Sequence, residues 1–139
     1  MASCGLDRVT GLPITDLAHV AQHVETLYAT RLGQMIMLGH YAGGLPEILG
    51  KRITPRNIAL YRLLLALPIA TWEPRLSVVA IQAQGNTAGA VVLGEMRFQV
   101  LAHYRPRGHL GDLAVEGGVR GFRLGATANR LTFALDTLA

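Results

Sequence analysis

The tetrapeptide Trp72-Glu73-Pro74-Arg75 combines residue types whose spacing is the most suggestive of chemistry in this chain. Proline restricts the backbone here and should make a rigid corner. The corner presents an aromatic ring, an acid and a guanidinium together, which is the composition of an interface anchor. A helix stop with a local ion pair explains the same four residues equally well. On these residues alone, both interpretations stay open.

A catalytic carboxylate pair is the enzymatic alternative. Glycoside hydrolysis needs one carboxylic acid with a raised pKa, facing a second carboxylate across the sugar. Glu73 is the best placed of the nine acidic residues, but Arg75 lies two residues away and should hold Glu73 ionised. Glu47 and Glu95 have no partner that the sequence reveals. We therefore expect no catalytic residue and no enzymatic activity.

Two further motifs concern metal and phosphate binding. His19 and His23 are four residues apart, the helical spacing of two metal ligands, but no motif supplies a third ligand. The glycine-rich run 117–121 lacks the Lys-Ser/Thr ending of a phosphate loop and is better explained as a flexible arm. We interpret the histidines as surface or interface residues. No metal and no cofactor are expected.

The composition is that of one folded domain with protein partners. Of 139 residues, 50% are hydrophobic and 16% are charged, which suits a core that needs no disulfide. The net charge is +4, and nearly all of the positive charge is carried by arginines, which are scattered from Arg8 to Arg130. Arginine suits carboxylate pairing at protein interfaces, whereas a nucleic-acid binder would cluster its charge. We expect neither a nucleic acid nor a membrane as a partner. Because the chain is basic, a nucleic-acid-binding module stays as a third hypothesis, after a structural protein and an enzyme.

Two helices should position the corner. Apolar residues at helical spacing predict a first helix over residues 15–30, after an extended lead-in. Thr54-Pro55 is a start signal for a second helix that should run to about Thr71. Leucine and alanine cover most of this second helix, so we expect it to be buried on more than one side. A short helical turn is expected over residues 45–49.

A sheet should follow the corner, because period-two patterns begin there. Apolar residues on both faces predict a central strand over residues 76–84, followed by a turn at 85–87. A second strand is predicted over 91–104, with one face toward the core: Met96, Phe98, Val100, Ala102 and Tyr104. A final strand over 130–136 should turn three residues inward: Leu131, Phe133 and Leu135. Residues 105–129 are expected to form a long hairpin arm or a loop.

These elements predict an α+β fold with N-terminal helices packed on a small antiparallel sheet formed by the C-terminal half. We expect a single domain over residues 1–139, because the sequence shows no repeat and no linker.

The ordered set of motifs resembles the baseplate assembly protein W family, the lysozyme-like wedge or sheath-initiator proteins of contractile tails. The matching segments lie in the order that the family shows: Gly5 to Pro13, Thr30-Arg31-Leu32-Gly33, Tyr41, Leu45 to Leu49, and Trp72-Glu73-Pro74-Arg75-Leu76 with its Glu-Pro-Arg signature. The chain departs from the family around the tyrosine, where it has His40, Ala42 and Gly43. Ion pairs that the family makes through that loop are not carried over.

The resemblance implies a structural baseplate protein of the virion tail, assembled in the host cytoplasm. The family's Glu-Pro-Arg segment docks on the helical bundle of the wedge proteins, which maps to Trp72, Glu73, Pro74 and Arg75. Its strands join the first ring of tail sheath protein by strand addition, with tail tube or hub proteins as further partners. Related proteins occur in type VI secretion and injection systems. A peptidoglycan-cleaving, lysozyme-like tail enzyme is the alternative that the resemblance leaves.

Strand addition needs an open sheet edge with unpaired backbone groups. We expect the second and final predicted strands to supply this edge. The candidate residues are Arg97, Gln99, Leu101, His103, Arg130 and Thr132.

Overall fold

The computed structural model describes residues 3–48, 50–84, 87–92, 97–127 and 130–135. In this part of the chain the helices are α1 (Asp16–Ala29), α2 (Pro55–Trp72) and the short α3 (Ala88–Val92). The strands are β1 (Cys4–Leu6), β2 (Pro13–Thr15), β3 (Leu76–Ala83), β4 (Phe98–Tyr104), β5 (Val119–Thr127) and β6 (Arg130–Leu135). The expected turn after α1 is a 3-10 turn over Leu45–Glu47. The predicted α+β class is confirmed.

Both long helices begin and end close to the predicted positions. The amphipathic pattern of α1 buries one stripe completely, formed by Val20, Val24, Leu27 and Tyr28. At the start of α2 the Thr54 hydroxyl accepts the Asn57 N–H at 3.2 Å, so threonine caps the helix as its sequence indicates.

The prediction that α2 is buried on more than one side is wrong for this chain. Leu65 and Ile69 are fully buried, whereas Leu63 and Leu67 are each 51% exposed. The helix therefore carries an uncovered apolar flank beside its buried face.

The C-terminal half forms one antiparallel sheet of four strands in the order β3-β4-β5-β6. β3 is thus an edge strand, and the prediction of a central strand is wrong. Apolar residues on both faces suggested a strand buried on both sides. In the structure only one face is buried, since Leu76 lies in the core whereas Val79 is 54% exposed. Val79 lies where the register with β4 shifts, between Val78 and Ala80.

The predicted second strand is two elements, and the first of them is helical. Residues 88–92 form α3, since alanines favour a helix and offer a strand little side-chain volume to pack. β4 begins at Phe98, and its core side is as predicted, with Phe98, Val100, Ala102 and Tyr104 buried. Glu95 and Met96 lie outside the described residues, as do the predicted turn residues Gly85 and Asn86 and residue Leu49.

Residues 105–129 do not form an arm throughout, which corrects the prediction. A 3-10 turn over Gly108–Leu110 leads to β5, which lies between β4 and β6. Phe122 is fully buried and stacks on Phe133 with ring centroids 4.9 Å apart. The sequence did not predict β5 because glycines and arginines occupy four of its nine positions and weaken the alternating apolar pattern. The glycine-rich run 117–121 enters this strand and is neither a phosphate loop nor a free arm.

The final strand is confirmed as β6, with two qualifications. Phe133 points inward as predicted, but Leu135 is 43% exposed. Asp136, the predicted last residue, lies outside the described residues. At the other end of the chain, the extended lead-in folds into a small hairpin of β1 and β2, in which Cys4 pairs with Thr15.

One buried cluster joins the long helices to the four-stranded sheet. It contains Val20 and Val24 of α1, Leu65 and Ile69 of α2, and the inward side chains of β3 to β6: Leu76, Phe98, Val100, Ala102, Tyr104, Phe122, Leu124 and Phe133. Among the described helices, none combines the length and apolar character that a membrane span requires.

Candidate functional site at the corner and the sheet edges

The corner closes directly after α2 as a hydrogen-bonded turn. The Glu73 N–H donates to the Ile69 carbonyl at 2.9 Å, and the Leu76 N–H donates to the Glu73 carbonyl at 3.0 Å. Glu73 is only 1% exposed and Arg75 is buried, whereas Pro74 is exposed and Trp72 is half-buried. The two charged residues of the corner therefore point inward.

The Arg75 guanidinium binds the Glu73 carboxylate through two parallel hydrogen bonds. Its Nε donates to Oε1 at 2.6 Å and its Nη2 donates to Oε2 at 2.7 Å. The backbone N–H of Arg75 also donates to Oε1, at 3.2 Å. Charge-assisted bidentate pairs of this kind are the strongest ion pairs in proteins and fix geometry as well as charge.

His23 of α1 holds the same carboxylate from the other side. Its Nδ1 lies 2.6 Å from Glu73 Oε2, and since an ionised carboxylate only accepts, Nδ1 carries the proton. Its Nε2 lies 3.0 Å from the Tyr41 hydroxyl. The Tyr41 ring packs edge-on against Trp72, with centroids 5.2 Å apart. A chain of contacts thus joins the corner to α1 and to the loop that follows it.

The electrostatics of the corner keep Glu73 ionised. Burial raises the pKa of the Glu73 carboxyl, but the hydrogen bonds from His23 and Arg75 and the positive charge of Arg75 outweigh it and lower the pKa to about 2. The prediction that Arg75 holds Glu73 ionised is confirmed. A general acid would need the opposite shift.

The two histidines of α1 serve this network differently. His19 Nδ1 lies 3.4 Å from Arg75 Nη1, which also donates to the Ser3 hydroxyl at 3.0 Å. Burial lowers the pKa of His19, and the nearby charge of Arg75 lowers it further. His23 contacts Glu73 within the fold while 29% of its side chain stays exposed, so the interpretation of that residue as a surface or interface histidine is corrected. In the described residues, no group of three His, Cys, Asp or Glu side chains could hold a metal ion.

Sequence reasoning missed His23 and Tyr41 as members of this site. His23 is 50 residues away from Glu73, and no local pattern joins the two. In the sequence, the signal for this site is the pair His19 and His23 on one face of α1. The pair indicates that both side chains contact the same neighbour, but not which residue that neighbour is.

Strand β4 cannot supply an open edge, which corrects part of the prediction for strand addition. Gln99, Leu101 and His103 pair with β3 on one side and β5 on the other. The carbonyl of Arg97, just before β4, accepts the Gln84 N–H at 3.1 Å. Both sides of β4 are therefore occupied within the sheet.

Strand β6 is an edge of the sheet, but its middle is capped from within. The Phe133 N–H faces away from β5 and donates to Glu25 Oε1 of α1 at 2.9 Å. The other carboxylate oxygen of Glu25 is held by Arg8 at 2.5 Å. Arg130 and Thr132 lie on this strand, and the Thr132 hydroxyl donates inward to the Gly125 carbonyl at 3.2 Å. The opposite edge is β3, and no described strand pairs with its outer side.

Comparisons with known proteins agree with this architecture, although no protein-family model matches the chain. Baseplate protein W of Escherichia phage P2 is 26% identical over 89 residues, which are 64% of this chain and 77% of that protein. A chain of the cryo-EM structure of the postcontracted pyocin R2 baseplate superimposes with a TM-score of 0.61 at 24% identity, over 73% of this chain and 98% of that chain. The chain is therefore similar in sequence to a phage baseplate protein and shares its fold with a chain of a pyocin baseplate.

A second solved structure shares the fold of this chain. It is a crystal structure of a Geobacter sulfurreducens protein described as a tail lysozyme, with a TM-score of 0.54 and 15% identity, over 83% of this chain and 98% of that chain. At this identity the likeness concerns the fold alone.

Proposed function

We propose that this chain is a structural component of the baseplate of a contractile tail and acts there without catalysis. The observation that carries the proposal is the sequence relationship to baseplate protein W of phage P2, which the fold shared with a pyocin R2 baseplate chain supports. Its location is the tail baseplate of the virion, and its partners are other baseplate and tail proteins. The closed Glu73–Arg75 pair supports a structural rather than a catalytic corner.

The corner Trp72-Glu73-Pro74-Arg75 docks on the helical bundle of the wedge proteins. Because Glu73 and Arg75 neutralise each other inside the fold, they act by holding the backbone of the corner in one shape. Pro74, which is exposed, and Trp72, which is half-buried, provide the outward contacts. A rigid corner loses little conformational entropy on binding, which favours docking.

The four-stranded sheet receives the first ring of tail sheath protein by strand addition. An edge strand offers backbone N–H and C=O groups in a fixed row, so an incoming strand needs no prior rearrangement of this chain. Tail tube or hub proteins are further neighbours in the same particle.

Docking is tested by incorporation of variants into baseplates. In a tail-producing host that lacks the native copy, we expect Trp72→Ala to reduce the amount of this protein in purified particles at least tenfold. Arg56→Ala, which changes an exposed residue at the start of α2, is the matched control. Circular dichroism should show both variants folded. Normal incorporation of a folded Trp72→Ala protein would contradict docking through the corner.

Peptidoglycan cleavage is the second candidate, because a protein described as a tail lysozyme shares the fold. The ionised state of Glu73 argues against it as a general acid. We expect the purified chain to leave the turbidity of a cell-wall suspension unchanged. Clearing that Glu73→Gln abolishes in a folded protein would establish the enzyme and overturn the structural proposal.

A further inference from the structure

A short loop after α1 carries the most exposed large apolar side chains in the described part of the chain. Ile36 is 97% exposed and Met37 is 95% exposed. No Asp, Glu, Lys or Arg lies between Arg31 and Glu47, so no charged side chain of this segment accompanies them. Adjacent apolar side chains without charged neighbours are typical of an interaction surface. We call residues 34–38 the apolar loop.

Hydrogen bonds at its base hold the apolar loop in one shape. The Gly33 N–H donates to the Gly39 carbonyl at 2.9 Å and closes the loop. Gly33 has a φ of +78°, which glycine adopts without strain. The Gln34 side-chain oxygen accepts the Arg31 N–H at 2.9 Å. A loop that is closed in this way loses less conformational entropy when a partner binds it.

The apolar loop also forms a depression that could receive a side chain. The depression has a volume of about 500 Å³ and is lined by residues 34–38 and by Tyr41. Met35 and Leu38 are partly exposed there, whereas Tyr41 is buried. Methionine adapts its flexible side chain to the shape of a partner. The loop thus offers both projecting side chains and a receiving surface, the pairing found at the centres of protein interfaces.

The apolar loop is continuous with the surface of the corner. The rings of His40 and Tyr41 lie 5.3 and 5.2 Å from the Trp72 ring, measured between centroids. His40 is exposed and Trp72 is half-buried. The three residue steps from Met37 to His40 span at most about 11 Å. A partner that covers Trp72 therefore lies within reach of the loop.

The composition of the loop favours a helical protein over a lipid or a nucleic acid. A site on a lipid surface uses tryptophan, tyrosine and flanking lysines, and residues 34–38 contain none of these. They also lack the cations that phosphates require. The surface of a helix presents ridges of side chains separated by grooves. Ile36 and Met37 suit such a groove, and one side chain of a ridge suits the depression.

We propose that the apolar loop inserts Ile36 and Met37 into a groove of a helical partner protein whose apolar residues recur at spacings of three and four. One apolar side chain of the partner enters the depression beside Tyr41. The inference rests on the proposed function only for the source of the helices, the wedge bundle.

The chemistry of the partner is tested on the purified full chain with a synthetic probe. The probe is a peptide of about 15 residues, cross-linked to stay helical, with leucines at spacings of three and four and no aromatic residue. Trp72 is the only tryptophan, so its emission reports binding. We expect the affinity to be at least fivefold weaker for a peptide with the leucines dispersed around the helix, and for Met37→Gln. Absent binding, equal binding of the two peptides, binding that Met37→Gln leaves unchanged, or tighter binding to phosphatidylcholine vesicles would overturn the proposal.

A double variant tests the loop within assembled particles. In a host that lacks the native copy, Ile36→Ser combined with Met37→Gln should reduce the amount of this protein in purified particles at least tenfold. Leu110→Gln, which changes a 71% exposed side chain outside the loop, is the matched control. Circular dichroism should show both proteins folded, since the changed side chains are exposed. Normal incorporation of the folded double variant would remove the loop as a docking surface.

The two experiments separate this inference from the proposed function. Incorporation that is lost in the loop variant but retained in Trp72→Ala would remove docking through the corner and leave the loop standing. Specific peptide binding by the purified chain, with baseplates that assemble fully after the chain is deleted, would remove the baseplate role and leave the chemistry of the loop standing.

Discussion

Glu73 controls the corner because four N–H groups, one from His23 and three from Arg75, converge on a carboxylate that is only 1% exposed. Its removal would leave the Arg75 guanidinium buried without a counterion, which costs far more than the loss of an exposed pair.

Glu73→Gln should therefore reduce the free energy of unfolding by about 3–5 kcal/mol, measured by urea denaturation. Glu47→Gln changes an exposed acid and should stay within about 0.5 kcal/mol of the parent protein. A cost below about 1 kcal/mol for Glu73→Gln would show that the buried pair is not a main source of stability.

The same carboxylate should make stability depend on acid. Its pKa falls from the ordinary 4.5 to about 2 on folding, so its contribution is complete above pH 4.5 and is lost as the pH falls toward 2. At 1.36 kcal/mol per pKa unit, the contribution is about 3 kcal/mol. The stability difference between the parent protein and Glu73→Gln, measured by urea denaturation, should shrink steeply between pH 4.5 and 2. An unchanged difference across that range would contradict the assignment.

At the scale of elements, the position of the corner depends on the turn after β4. A Cβ added to Gly108 would overlap the Pro74 carbonyl oxygen and lie 2.8 Å from its carbonyl carbon. These are backbone atoms and cannot rotate away.

Gly108→Ala should consequently displace the corner and lower the free energy of unfolding by about 1–3 kcal/mol, as overpacking of a core does. Gly118→Ala is the matched control, because a Cβ there meets nothing within 4 Å. Thermal unfolding of both variants is the measurement. Equal melting temperatures would show that the turn yields without strain.

A second feature at the scale of elements is the contact by which helix α1 covers the edge of strand β6. Glu25 accepts the outward N–H of Phe133, which leaves less of the edge free to pair with another chain.

Glu25→Ala should leave this N–H without an acceptor and lower the free energy of unfolding by about 1–3 kcal/mol. It should also cause concentration-dependent self-association, measured by analytical sedimentation. Glu25→Gln keeps an acceptor oxygen for the Phe133 N–H while it loses the negative charge that pairs with Arg8, so it should keep the association state of the parent protein. Self-association of both variants, or of neither, would contradict the capping role.

At the scale of the whole molecule, the positive charge is dispersed along the chain, and four of its thirteen lysines and arginines form ion pairs within the described residues. Arg8, Arg75, Arg107 and Arg120 each lie within 4 Å of an acid, at separations from 2.5 to 3.5 Å. Over the part of the chain that the structure describes, such a distribution offers no continuous track for phosphates.

We expect the full chain to show no steeply salt-dependent binding to a DNA duplex, measured by fluorescence anisotropy between about 50 and 200 mM salt. A histone-like basic protein serves as the positive control. A steep decline of affinity with salt would favour the nucleic-acid hypothesis over protein partners.

The sequence by itself determined the features that depend on near neighbours. The start signal of α2, the periodicity of α1, the inward face of β4 and the pairing of Glu73 with Arg75 all follow from residues a few positions apart. Tertiary structure alone decided the rest. His23 and Tyr41 reach the corner across long separations, β5 pairs on both sides despite its glycines, and only the strand order shows which edge is open. Local patterns record propensity and amphipathicity, whereas edge exposure and buried ion pairs depend on which distant segments the fold brings together.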